Sequence, residues 1–308
     1  MKKVLSLVLT LAMIFALCAC GGEAAQPAEE AAPQEEAAPA EEAAPQTDLS
    51  TATIDEIKAQ LTTVVPGKLT VATSPDYAPY EFYAIDADGN PTLAGFDVAL
   101  MNYIAEFLGL ELDVIPMDFD GIANELIAGN VDLGMAGYSP KPERASVMDF
   151  SMVYYEGGQC FLTTKENADK FKSVEDLNQE GITIAAQNGS IQMELAQKFS
   201  PDTDIITLTK ATDIIAELVS GKLDGAYIET VVAESYAKNY PELQIAMEVP
   251  YEAEGNIVGV MKGNEALLAG VNMALQSAID DGSFAKFVEE ANALAQGDII
   301  EGLVEENK

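Results

Sequence analysis

The sequence contains two copies of a short unit in which a helix with one apolar face ends at a glycine and an apolar strand follows. The first copy is ELIAGNVD, residues 125–132, and the second is ELVSGKLD, residues 217–224, so the two lie 92 residues apart. Glycine often ends a helix, and a short apolar run after it is typical of a buried strand. The two copies therefore predict two similar α/β units, although a chance match between common units is an alternative.

The residues that follow the two copies differ in charge. The first strand leads into Gly137, Tyr138 and Ser139 and then, after two prolines, into Arg144; in the second copy the position matching Gly137 is Glu229. Ligands of open α/β sheets bind at the carboxyl ends of the strands. If the two units face each other across a cleft, the arginine can bind an acid group and the glutamate an amine. A free α-amino acid is the simplest ligand that satisfies both.

Short apolar strands alternate with amphipathic helices along the rest of the chain. The predicted pairs are residues 68–72 and 97–107, 113–116 and 121–128, 183–186 and 191–199, 204–207 and 213–219, and 223–228 and 231–239. This alternation favours α/β architecture with largely parallel sheets. Connecting segments are predicted near residues 154–158 and 250–256. We therefore expect lobe 1 to comprise residues 51–156 with 253–308 and lobe 2 residues 157–252, with helices 264–280 and 283–294 packed on lobe 1.

The first 50 residues are typical of a secreted and anchored protein. Two lysines precede an apolar run at residues 4–19, which predicts a signal peptide over residues 1–19. The run ends in LCACGG, residues 17–22, which resembles the bacterial lipoprotein cleavage box with Cys20 as the lipidated residue. Residues 20–50 are rich in Ala, Glu and Pro and predict a disordered tether. We expect an extracytoplasmic protein that is lipid-anchored to the cell membrane; a signal cleaved without lipidation is the alternative.

Composition argues against several kinds of function. The sequence has no histidine, the usual acid/base at neutral pH and the commonest metal ligand, and we expect neither metal nor cofactor. With Cys18 removed and Cys20 lipidated, Cys160 is left without a disulfide partner, and its apolar surroundings predict a buried, inert thiol. The net charge of −35 argues against a nucleic-acid partner.

Several motifs are similar to those of the bacterial extracellular solute-binding proteins of family 3, which deliver polar amino acids to ABC importers. The motifs are GFDVAL at residues 95–100, YAPYEF at 77–82, MDF at 117–119, the stretch 125–144, DFS at 149–151 and QNGS at 187–190. Ala99 departs from the family signature, which usually has an acid there. The resemblance spans residues 66–295 and implies a two-lobed periplasmic-binding-protein-like fold of type II, with two hinge segments.

The resemblance also implies roles for charged and aromatic residues. Arg144 matches the arginine that holds the ligand's α-carboxylate, for which its planar fork is well suited; a surface arginine is the alternative. Glu229 stands where the family more often has an aspartate for the α-ammonium, and a solvated glutamate is the alternative. Tyr77 and Phe119 match the two aromatic residues that enclose the ligand's aliphatic part.

Smaller polar groups complete the predicted site. Gly137 and Ser139 are expected to offer a backbone group and a hydroxyl to the same end of the ligand as Arg144, or else to serve a turn. Ser190 is expected to cap the following helix, to bind the ligand, or both. Tyr138, Gln187 and Ser74 are expected to shape the side-chain pocket. Ser74 lies where binders of basic amino acids carry an acid, which favours a neutral side chain, although acidic residues lie close by in the sequence.

These observations predict a receptor rather than an enzyme. We expect a monomer that closes on a free amino acid and delivers it to an ABC permease and its ATPase, held at the membrane through Cys20. An enzyme on the same fold, of the cyclohexadienyl or arogenate dehydratase type, is the main alternative. A sensory ligand-binding module is a third class.

Overall fold

The computed structural model describes residues 49–252, 255–297 and 299–300. The predicted signal peptide, Cys20 and almost all of the tether lie outside these residues. Within them, no helix has both the length and the apolar character needed to cross a membrane.

Lobe 1 is built on a five-stranded sheet. Its strands follow the order β5 (Glu111–Pro116), β1 (Lys68–Thr73), β6 (Leu133–Gly134), β13 (Gly259–Met261) and β7 (Met148–Phe150). Five of the six residues of β1 are buried, as expected for a central strand covered on both faces. Its helices are α1 (Ile54–Lys58), α2 (Phe96–Leu108), α3 (Phe119–Ala128), α4 (Pro142–Ala145), α8 (Glu265–Asp280) and α9 (Ser283–Leu294). Both α8 and α9 pack against α2.

Lobe 2 is built on a second five-stranded sheet. Its strands follow the order β10 (Asp204–Leu208), β9 (Thr183–Gln187), β11 (Gly225–Glu229), β8 (Gln159–Thr164) and β12 (Leu243–Val249). Its helices are α5 (Ile191–Phe199), α6 (Ala211–Val219) and α7 (Thr230–Asn239). The predicted elements of both lobes are present within a few residues of their expected bounds, but α1, α4, β7 and β12 were not predicted.

One strand in each described sheet runs against the others. In lobe 1, β13 is antiparallel to both of its neighbours, and in lobe 2, β8 is antiparallel to both of its own. Each of these strands is the first to follow a connecting segment. Because the chain crosses between the lobes at the carboxyl ends of the other strands, the strand that receives it must run the opposite way. The expectation of largely parallel sheets is corrected at these two positions.

A third, smaller sheet was not predicted. It joins β2 (Asp76–Tyr77), β3 (Glu81–Ile85), β4 (Pro91–Ala94) and β14 (Ile299–Ile300) on lobe 1. Gly95, which follows this sheet and caps α2, has φ +127, and a Cβ there would overlap the carbonyl of Tyr80. This close approach holds the β2–β3 turn against the start of α2, beside the cleft.

Candidate functional site

A small polar cavity lies where the two lobes meet. Lobe 1 and lobe 2 both contribute to its lining, which consists of Tyr77, Phe119, Ala136, Gly137, Ser139, Arg144, Gln187, Ile191 and Gln192. Its volume is about 10 Å³, room for about one water molecule. Six of the ten residues predicted for the site line this cavity.

A larger cavity of about 540 Å³ lies beside the connecting segments, lined by Gly157, Gly158, Gln159, Thr230 and residues 248–251. It contains none of the predicted site residues. We place the functional site at the smaller cavity, because polar groups of both lobes converge there.

Arg144 is the sole arginine of the sequence, and it lies in this cavity. Its Nη1 donates to the carbonyl of Ser139 at 2.9 Å and its Nη2 to the carbonyl of Gly189, in lobe 2, at 3.1 Å. Burial lowers the pKa of the guanidinium from its usual value. A guanidinium has five N–H donors, so three are left for another acceptor. Asp149, which lies five residues after Arg144, pairs with Lys262 instead.

Aromatic rings surround the guanidinium. It lies 4.4 Å from the ring centre of Tyr138 and 5.6 Å from that of Phe119, and these two rings are 4.9 Å apart. The position over the ring faces is favourable for a cation and fixes the plane of the fork. Tyr138 is not part of the cavity lining, and its ring instead orients Arg144.

Tyr77 also lines the cavity. Its hydroxyl accepts a hydrogen bond from Gln192 at 3.2 Å and one from the backbone N–H of Glu229 at 3.4 Å. Gln192 lines the cavity but was not predicted, although it follows the QNGS motif by only two residues. Its place in the first turn of α5 was the signal that could have identified it.

Ser74 and Gln187 meet at a buried carboxyl that was not among the predicted residues. Asp76 accepts hydrogen bonds from the hydroxyl of Ser74 at 2.6 Å, from the amide of Gln187 at 3.1 Å and from the backbone N–H of Ala211. Burial raises the pKa of Asp76 to about 6, although the hydrogen bonds from Ser74 and Ala211 oppose the shift. Asp76 of lobe 1 therefore bonds directly to two elements of lobe 2.

Ser190 serves as a helix cap. Its hydroxyl accepts from the backbone N–H of Met193 at 3.2 Å and donates to the carbonyl of Gln187 at 2.7 Å. Both bonds hold the turn that carries Gln187 into the cavity. Ser190 itself is not part of the cavity lining.

Glu229 ends β11 and is 2% exposed, so it is not the solvated residue considered as an alternative. The hydroxyl of Tyr80 donates to its carboxyl, and the same hydroxyl lies 3.0 Å from the Oδ1 of Asn256. Burial, reinforced by the charge of Asp97, raises the pKa of Glu229 to about 8. Glu229 does not line the small cavity and lies against Gly157, where an added Cβ would overlap its carboxyl.

Two further buried carboxyls lie behind Gly137. Asp97 accepts hydrogen bonds from the Tyr154 hydroxyl at 2.8 and 3.0 Å and from the Gly137 N–H at 3.1 Å, and burial raises its pKa to about 6. Burial raises the pKa of Glu81 well above its usual value, and the charge of Asp97 adds to the shift. Both belong to motifs noted in the sequence, yet nothing local distinguishes a buried acid from a solvated one.

Several contacts bridge the lobes around the cavity. Lys141 forms an ion pair with Glu194, and the Asn188 amide donates to Asp120. Together with the Arg144 bond to Gly189, these contacts hold the lobes in contact over the site. Among the residues described, no group of three or more Cys, Asp or Glu side chains is arranged to hold a metal ion.

Comparison with known proteins identifies related chains. The family model of the bacterial extracellular solute-binding proteins, family 3, matches residues 69–291. The arginine-binding extracellular protein ArtP of Bacillus subtilis is 34% identical over 71% of this chain and 84% of its own. The cyclohexadienyl dehydratase of Pseudomonas aeruginosa is 27% identical over 63% of this chain and 72% of its own.

A solved structure has the same fold. It is the amino-acid ABC transporter substrate-binding protein AbpA of Streptococcus pneumoniae, bound to L-arginine. AbpA is 32% identical, superposes with a TM-score of 0.72, and the match covers 75% of this chain and 97% of AbpA.

Proposed function

The chain belongs to family 3 of the bacterial extracellular solute-binding proteins, and we propose that it is the substrate-binding component of an amino-acid ABC importer. It captures a free amino acid between its two lobes and delivers it to the membrane permease. The observation that carries this proposal is the position of Arg144, a partly buried guanidinium with three free N–H donors at a cavity lined by both lobes. A ligand that contacts both lobes favours the closed state over the open one.

The site supports a defined orientation of the amino acid. Its carboxylate binds the free donors of Arg144 and the hydroxyl of Ser139, and its ammonium faces Glu229. Tyr77 and Phe119 enclose the aliphatic part between their rings, while Gln187 and Gln192 contact the ligand from lobe 2. Opening of the lobes must widen the cavity before such a ligand enters, because its present volume is about 10 Å³.

We propose a cationic amino acid as the ligand, with L-arginine the first candidate. Ser74 favours a neutral side chain, but its hydroxyl bonds to Asp76, which brings a buried carboxyl to the same corner of the cleft. A carboxyl held in a protein interior is stabilised by a cation that approaches it. ArtP is named as arginine-binding and AbpA was solved with L-arginine, which supports the same candidate.

The same proposal includes the location of the protein and its partners. Cys20 carries the lipid that anchors it at the outer face of the cell membrane, and the acidic tether over residues 20–50 allows the body to reach its partners. Those partners are an ABC permease and its ATPase. The protein works as a monomer without a cofactor.

A dehydratase is the second candidate, and Glu229 is the observation that favours it. With its pKa raised to about 8, this carboxyl holds a proton at neutral pH, as a general acid that protonates a departing hydroxyl must do. One relative is a cyclohexadienyl dehydratase. Incubation with prephenate and with L-arogenate tests this candidate; formation of the aromatic product would support it, and loss of that activity in Glu229→Gln would assign the acid.

The test of the receptor proposal is thermal unfolding of the purified protein with each of the twenty amino acids. A ligand at a hundredfold excess over its Kd adds about 2.7 kcal/mol of stability to the folded state. Calorimetry should then show weaker binding in Arg144→Lys by tenfold or more, because an ammonium cannot hold a carboxylate with two parallel bonds. Lys262→Met, which removes an exposed cation of lobe 1, is the control and should bind normally. Failure of all twenty to raise the midpoint would refute the proposal.

A further inference from the structure

Asn256 lies in the second connecting segment and is 2% exposed. Its backbone pairs with the first connecting segment, donating to the carbonyl of Tyr155 at 2.7 Å and accepting from the N–H of Tyr154 at 3.0 Å. Its side chain points the other way, toward the predicted site. Asn256 therefore contacts the first connecting segment through its backbone and the predicted site through its side chain.

The side chain of Asn256 lies between one acceptor of each lobe. Its Nδ2 donates to the carbonyl of Gly137, in lobe 1, at 2.9 Å, and its Oδ1 lies 3.0 Å from the hydroxyl of Tyr80, which also bonds to the carboxyl of Glu229, in lobe 2. One amide and one hydroxyl thus connect the two acceptors. Both are oxygen acceptors with lone pairs to spare, which is what an ammonium group requires.

The amide is itself held in place by the backbone of Asn256, whose N–H and carbonyl both bond to the first connecting segment. The next residue fixes the same loop of lobe 1, since the N–H of Ile257 donates to the carbonyl of Tyr138 at 2.7 Å. Asn256 thus bonds directly to the backbone of Gly137 and reaches Glu229 through the hydroxyl of Tyr80.

We propose that Asn256 is a positioning residue for amine recognition, which holds the Gly137 carbonyl and the Glu229 carboxyl in place as the two acceptors of the ligand's α-ammonium. It acts through these two groups. This inference rests on the proposed function and adds a residue from the connecting segment to the site. Without the amide, the Gly137 carbonyl loses the donor that fixes its direction and the Tyr80 hydroxyl, which bonds to Glu229, loses its second partner, so the acceptors no longer converge.

The experiment compares two ligands that differ only in the α-amine. Calorimetry is performed with L-arginine and with 5-guanidinopentanoic acid, which lacks the amino group, on the unaltered protein and on Asn256→Ala. We expect the variant to bind L-arginine at least tenfold more weakly, while its affinity for the deaminated acid changes less than twofold. A residue with only a structural role would weaken both ligands by the same factor.

Two further variants keep the test decisive. Asn256→Leu retains most of the side-chain volume and lacks any donor, so it should reproduce the selective loss if Asn256→Ala fails to fold. Asn264→Ala removes another buried asparagine of lobe 1, which caps α8 and donates to the carbonyl of Thr62 rather than to a residue of the site, and should leave the ratio of the two affinities unchanged. Equal weakening of both ligands, or no change in either, would overturn the inference. If the unaltered protein does not bind L-arginine, the proposed ligand is wrong and the inference is refuted with it. If the unaltered protein binds L-arginine but the Asn256 variants keep its selectivity for the α-amine, the inference alone is refuted.

Discussion

Replacing Glu229 by glutamine should change how the stability of the unliganded protein depends on pH. The pKa of Glu229 is about 8 in the folded protein, against 4.5 for an unperturbed glutamate. Between these values the folded form holds a proton that the unfolded chain has released. Stability is therefore greatest below pH 4.5 and is lost as the pH rises toward 8. Glutamine is neutral throughout and removes this contribution.

The magnitude follows from the size of that proton difference. A difference of one whole proton corresponds to about 1.4 kcal/mol per pH unit. Between pH 6 and pH 8 the unaltered protein should thus lose about 2 kcal/mol more than Glu229→Gln. For a folded body of this size, that loss lowers the Tm by about 4–8 °C. Asp76 and Asp97, whose pKa values are about 6, act mainly below this window and are common to both proteins.

Urea unfolding at fixed temperature, followed by circular dichroism at several pH values from 6 to 8, measures this difference. Glu289→Gln, which alters an exposed glutamate of α9, is the control and should follow the unaltered protein. Equal slopes of unfolding free energy against pH in the unaltered protein and Glu229→Gln would refute the reasoning. That result would mean that Glu229 is ionised in the folded state despite its burial.

Three further outcomes are expected. If the ligand's ammonium pairs with Glu229, the pKa of that carboxyl must fall on binding, so calorimetry in buffers of different ionisation enthalpy at pH 7 should detect release of about 0.9 proton; release near zero contradicts the pairing. Gly95→Ala should destabilise the protein by about 2 kcal/mol or more in urea unfolding, because its Cβ would overlap Tyr80, whereas Gly89→Ala, with open space around it, should cost about 1 kcal/mol. Equal costs would contradict the packing argument. Cys160, whose thiol pKa is raised to about 12 by burial, should react with a maleimide only after unfolding; rapid labelling of the native protein would contradict this.

Local patterns accounted for most elements and for one end of the candidate site. The helix that ends at Gly129 and the segment that carries Ser139 and Arg144 lie within about twenty residues, so spacing alone could relate them. The reversed strands β8 and β13 could not be deduced in the same way. Their direction depends on the side from which the connecting segments reach each sheet.

The sequence was sufficient for the α/β alternation, the family and the position of Arg144, because periodicity, glycine caps and short motifs are properties of neighbouring residues. The protonation of Glu229 and the roles of Asp76 and Asn256 required the folded chain. Glu229 bonds to Tyr80 across 149 positions, and Asn256 to Gly137 across 119. A carboxyl changes its pKa and an amide finds its acceptors only when both sheets are packed and water is excluded between them. No local sequence pattern records which distant groups will then be buried together.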